Sequence, residues 1–127
     1  MRPARSILLV EPDATCGHAL ARLIRRGGDE VRLVRSARAA AAAVGRSPYD
    51  LAVVDLLVRG GGAELARRLQ ARVPRVYLSV GARLLNDELL EAVVGFPVLR
   101  KSTLPGLLAH SRKSRRARAS PRERALA

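Results

Sequence analysis

The chain has 127 residues, room for one domain and one core, because single domains commonly run to about 100 to 150 residues. With 48% apolar residues it is not a wholly disordered chain, and apolar runs such as Ala39 to Val44 are far shorter than the roughly 20 residues that cross a bilayer. The net charge of +13 is uneven: from His110 onward seven basic residues meet one acidic residue, Glu123, which marks residues 111–127 as a basic tail on a domain of residues 1–110.

The opening Met1-Arg2-Pro3-Ala4-Arg5 carries the charge of a signal-peptide start, but the apolar run Ile7 to Val10 stops at Glu11 before a hydrophobic region forms. The expected location is therefore the cytoplasm, with no membrane contact. Cys16, the single cysteine, fits a reducing compartment and reads as a small core residue.

In chain order, short β-rich apolar runs recur about every 20 to 25 residues: Ile7 to Val10, Val31 to Val34, Leu51 to Val54, Val76 to Leu78 and Pro97 to Leu99. Between them apolar positions fall at helical spacing over Ala14 to Arg26, Ala37 to Val44, Ala63 to Ala71, Leu84 to Val94 and Leu104 to His110. Asp13 and Ser36 are predicted N-caps. Gly27 and Gly45 are predicted stops, and Ser102 or Thr103 caps a last helix with Pro105 in its first turn. Strands and helices alternating five times predict an α/β fold: a doubly wound, parallel, five-stranded sheet covered on both faces.

In such a fold function gathers at the carboxyl ends of the strands. Those ends carry Glu11, Pro12 and Asp13, then Asp55, Ser79 and Lys101. Singly each has a plain structural role: a helix cap for Asp13, a local hydrogen bond for Ser79, solvation for Lys101. Asp55 is different, because it closes an apolar run where a carboxylate needs a compensating cation, which Lys101 or a metal supplies.

Over about Arg5 to His110 the chain resembles the receiver domain of two-component response regulators. The matching stretches are Ile7 to Asp13, Tyr49 to Leu57, Val76 to Ser79 and Val98 to Lys101, in the family's order and spacing. The resemblance implies a flavodoxin-like (βα)5 fold in which Asp55 accepts a phosphoryl group from a histidine kinase or phosphotransfer protein, assisted by Mg²⁺. It implies that Ser79 donates its hydroxyl to a phosphoryl oxygen and that Lys101 pairs with Asp55 or its phosphate. Metal ligands would be Glu11, Asp55 and the backbone carbonyl of Leu57, with Asp13 as a further candidate.

The chain also departs from the family's pattern. Pro12 stands where a second acidic residue is usual, so Mg²⁺ is expected to bind weakly or not at all. Val98 replaces the aromatic switch residue, Ser102 the proline after the lysine, and Arg59 a frequent proline; Gly60-Gly61-Gly62 is expected to make the loop after Asp55 mobile. A degenerate receiver, signalling by contact without phosphorylation, is the alternative. An output partner and a homodimer are expected through the fourth helix and fifth strand, the face receivers commonly use.

Enzymatic turnover is not expected. Leu57 stands where a haloacid-type phosphatase needs a second aspartate, and the turn after the first strand lacks a dinucleotide fingerprint. The tail, Ser111 to Ser120, offers sequence-independent nucleic-acid binding at most, for it has no aromatic to stack on bases.

Overall fold

The computed structural model describes residues 3–81, 95–104, 106 and 108. The elements are β1 (Ser6–Val10), α1 (Ala14–Arg26), β2 (Glu30–Val34), α2 (Ala37–Arg46), β3 (Leu51–Asp55), α3 (Gly62–Leu69), β4 (Arg75–Val80) and β5 (Val98–Arg100). All five strands are parallel, in the order β2-β1-β3-β4-β5. This is the expected flavodoxin-like doubly wound sheet. The predicted helix at 84–94, the tail at 111–127 and the boundary at 110 lie outside the described residues.

Period-two side-chain alternation sorts each strand between two cores. Leu8, Val10, Ala52 and Val54 pack with Ala40, Ala43, Leu65 and Leu69 of α2 and α3. Ile7, Leu9, Leu51 and Val53 pack with Leu20, Ala21 and Ile24 of α1 and with Leu104 and Leu108 of the last helical turns. A strand buried on both faces must be apolar throughout, and β3 is buried at every residue.

Local chemistry sets the helix ends. Asp13 accepts a hydrogen bond from Cys16 N at 2.8 Å, and Ser36 accepts one from Ala39 N at 3.1 Å. Gly27 ends α1, with Arg25 and Arg26 in its last turn. Gly45 does not stop α2, which runs to Arg46 and leaves in extended geometry at Ser47. The stop comes from Pro48, whose ring disfavours helical geometry in the residue before it.

Two arginines tie the sheet's periphery. Arg25 Nη2 donates to the carbonyl of Val31 at 2.9 Å, on the outer rim of edge strand β2. At the amino end of the sheet the buried pair Arg5–Asp29 closes at 2.8 Å, and Arg5 Nη2 also donates to the Leu108 carbonyl at 3.0 Å. Among the described residues no helix is long and apolar enough to cross a membrane.

Candidate functional site

Backbone pairing sends four side chains to one edge. Strand order reverses at β1, with β2 on one side and β3 on the other, so the carboxyl ends of β1 and β3 flank the crevice. Glu11 is held where β1 ends by its N–H to the Val34 carbonyl, 3.0 Å. Asp55 ends β3 in register with Ser79 of β4, and Leu56 N donates to Ser79 O at 2.9 Å. Lys101 follows β5, with its N–H on the Val80 carbonyl at 3.0 Å.

The side chains form one network. Lys101 Nζ donates to Asp55 Oδ2 and stands 2.6 Å from Glu11 Oε1. The second oxygen of each acid is held by backbone: Leu57 N donates to Asp55 Oδ1 at 2.7 Å, and Asp13 N to Glu11 Oε2 at 3.1 Å. Glu11 is 2% exposed, Asp55 6% and Ser79 1%. Glu11 Oε1 makes no hydrogen bond of proper angle, so the ammonium beside it compensates its charge by ion pairing. Burial opposes the charge on Lys101, but the hydrogen bond to Asp55 and the adjacent Glu11 carboxylate outweigh burial, and the lysine pKa is held above its ordinary value.

Two neighbours were not singled out in the sequence as part of this site. The Cys16 thiol, half-buried one turn into α1, is close enough to Glu11 to feel its carboxylate; burial first, then that carboxylate, push its pKa up. Cys16 lies three residues after the cap Asp13, a helical spacing that turns both toward the β1 exit. Arg35 donates to the Pro12 carbonyl through Nε and Nη2, each at 3.2 Å, a contact between two loops without a local sequence signal.

The loop after Asp55 corrects the expectation drawn from its glycines. It is pinned by Val58 N to Asp55 O, Gly61 N to Val58 O and Gly62 N to Leu56 O. Gly60 and Gly61 have φ of 92° and 97°, a region L side chains rarely enter. Gly62 is glycine for another reason: a Cβ there would lie 2.5 Å from Asp55 O and 2.6 Å from Leu56 Cα. The glycines thus serve geometry, holding the backbone that donates to Asp55, while Leu57 leaves the surface 74% exposed.

The donor set does not suit a magnesium ion. Mg²⁺ demands near-octahedral oxygen coordination, yet the free oxygens of Glu11 and Asp55 both face the Lys101 ammonium. Pro12 has no side-chain oxygen, and its carbonyl is taken by Arg35. Asp13, a candidate ligand in the sequence, is exposed and turns its carboxylate to the α1 cap. Among the described residues no three His, Cys, Asp or Glu side chains are grouped to hold a metal. At the switch position Val98 is buried, and Ser102 sits in an exposed turn.

No family model matches the chain. The chain is 33% identical over 91 residues, 71% of its length, to the sensory transduction protein RegX3 of Mycobacterium tuberculosis. RegX3 of Mycolicibacterium smegmatis matches at the same identity. The chain spans only 39% of the length of these curated relatives. A sensor protein from Polaromonas sp. JS666 superposes with a TM-score of 0.70 at 25% identity, covering 86% of this chain and 93% of the other. The CheY-like response regulator receiver domain protein from Methanospirillum hungatei gives 0.71 at 20% identity, covering 89% and 94%. A response regulator receiver protein from Burkholderia phymatum gives 0.72 at 22%, covering 92% and 98%. A five-stranded sheet of this order, acid, hydroxyl and lysine at its carboxyl edge, and sequence shared with RegX3 converge on one conclusion: the chain resembles the response regulator receiver domains and has their fold.

Proposed function

We propose that the chain is the receiver module of a two-component signalling protein, in which Asp55 accepts a phosphoryl group from a histidine kinase or phosphotransfer protein. The observation that carries this reading is the Asp55 carboxylate, in contact with the Lys101 ammonium and in register with Ser79. A carboxylate oxygen attacks phosphorus as the N–P bond of a phosphohistidine breaks. The bonding pair leaves with the imidazole nitrogen, which takes up a proton, and an acyl phosphate forms on Asp55. Lys101 neutralises the transferred group as a point charge, and the Ser79 hydroxyl donates to one of its oxygens. The pinned backbone of Asp55 to Gly62 keeps the acceptor aligned. The output is contact with a partner protein rather than turnover of a substrate.

A second reading, an interaction module that signals without phosphate, has its own support. Lys101 is shared with Glu11, Pro12 removes an acid, and Val98 cannot act as an aromatic switch. One experiment separates the two. Incubation with acetyl phosphate, with and without Mg²⁺, followed by intact-mass measurement, is expected to add one phosphoryl group to the chain and none to Asp55→Asn. No adduct under either condition would establish the second reading.

A further inference from the structure

The acid pair at the carboxyl edge presents an imbalance that neither functional reading explains. Among the described residues, two buried carboxylates converge on a single cation. Each keeps one oxygen on a backbone N–H and turns the other to the same ammonium nitrogen. We propose that Lys101 is the resident cation of this site, standing where a divalent metal would otherwise bridge Glu11 and Asp55, so that the pair is compensated without metal.

Three observations carry this. The oxygens a metal would need are those the ammonium occupies, 2.6 Å away for Glu11 and in direct contact for Asp55. A divalent ion and an ammonium cannot share that space, because like charges a few ångströms apart inside a protein repel strongly. Two further donors that might draw in a metal are committed elsewhere, Asp13 to the α1 cap and the Pro12 carbonyl to Arg35, which leaves the Leu57 carbonyl as the remaining candidate. Lys101 is well placed for the task, since its 22% exposed side chain reaches the pair from β5 while its backbone is fixed on Val80. An incoming Mg²⁺ would have to expel the lysine and would gain two carboxylates in return, completing its shell with water. The inference stands whether or not Asp55 is phosphorylated.

The chain has two lysines, Lys101 and Lys113, which makes a direct test clean. Amine acylation followed by peptide mass analysis reads Lys101 in the folded and denatured chain, with Mg²⁺ or with sodium at equal ionic strength. In the folded chain Lys101 is expected to react at least about tenfold more slowly than when denatured, since its ammonium is held against two carboxylates on a side chain only 22% exposed. Mg²⁺ should leave that rate unchanged. Faster acylation of Lys101 in Mg²⁺ would mean that the metal displaces it, and would overturn the proposal. In parallel, the melting temperature of the native chain should not respond to Mg²⁺, whereas Lys101→Met, left with two uncompensated acids, should gain several degrees. A Mg²⁺-dependent rise in the native chain, or a folded Lys101→Met indifferent to Mg²⁺, also refutes it. Should Lys101→Met not fold, the acylation of the native chain still decides.

Discussion

The two ends of the sheet each bury an ion pair, and they are built on different arithmetic. At the amino end Arg5 meets Asp29 in matched geometry: Nε and Nη2 reach the two carboxylate oxygens, the Arg5 N–H adds a third bond, and Nη2 also serves the Leu108 carbonyl. At the carboxyl end one ammonium answers two carboxylates, leaving Glu11 Oε1 without a hydrogen bond of proper angle. A balanced, geometrically matched pair is what a structural bond requires. At the carboxyl end, among the described residues, two negative charges share one cation, so compensation there is less complete.

The largest test of this contrast is to break each pair. Asp29→Ala leaves a guanidinium buried and uncompensated and should cost about 3 to 5 kcal/mol. Glu11→Gln instead leaves Asp55 and Lys101 matched one to one and should cost less than about 1 kcal/mol. Urea unfolding midpoints of the two variants check this, and similar losses would erase the distinction between the ends.

Next in size is the loop that fixes Asp55. Gly62→Ala forces a Cβ against backbone atoms that have no room to yield, and about 1 to 3 kcal/mol of stability should go with it. The same chemical change at Gly45, where nothing lies within 4 Å of the added Cβ, should be neutral to stabilising, as helical Ala is favoured over Gly by roughly 0.5 to 1 kcal/mol. Thermal melts of the two variants compare them.

Pro12→Asp probes the charge excess from the other side. A third acid beside Lys101 restores a reason for a divalent ion to enter, and calorimetry should find Mg²⁺ bound at least about tenfold more tightly, roughly 1.4 kcal/mol. Adding Asp13→Ala should leave that affinity unchanged, because Asp13 serves the α1 cap, while costing about 1 kcal/mol of stability.

The smallest effects are in pH. Because the fold raises the Lys101 pKa, the stabilisation from its charge is complete below the ordinary lysine pKa and is lost as pH climbs through the folded value. The stability gap between native chain and Lys101→Met should therefore be level from neutrality to about pH 10 and narrow above it. The raised pKa of Cys16 should shift iodoacetamide alkylation to higher pH than in the denatured chain, and Glu11→Gln should bring it part of the way back.

Strand and helix order was legible because each apolar run is short, β-rich and separated by helical spacing, and parallel topology then fixes where strand ends lie. That alone brings Glu11, Asp55, Ser79 and Lys101 to one edge. What escaped the sequence were contacts between loops and across long separations. Arg35 on the Pro12 carbonyl depends on how two loops lean, and Arg5 reaching Leu108 spans 103 positions. The role of Gly62 is hidden for a simpler reason: a run of glycines looks alike in sequence whether each is needed for positive φ or for lack of a side chain.

The bond from Arg25 to Val31 bears on what the molecule avoids. The outer rim of β2 is an open edge, the kind of surface to which a stray strand can add, chain after chain, toward aggregation. Arg25 occupies a carbonyl that such a strand would need, and exposed Arg32 in the same strand adds positive charge along the rim. For a protein of net charge +13, every copy arriving at that rim meets cations like its own, so the helix that builds the core also guards this edge of the sheet against an added strand.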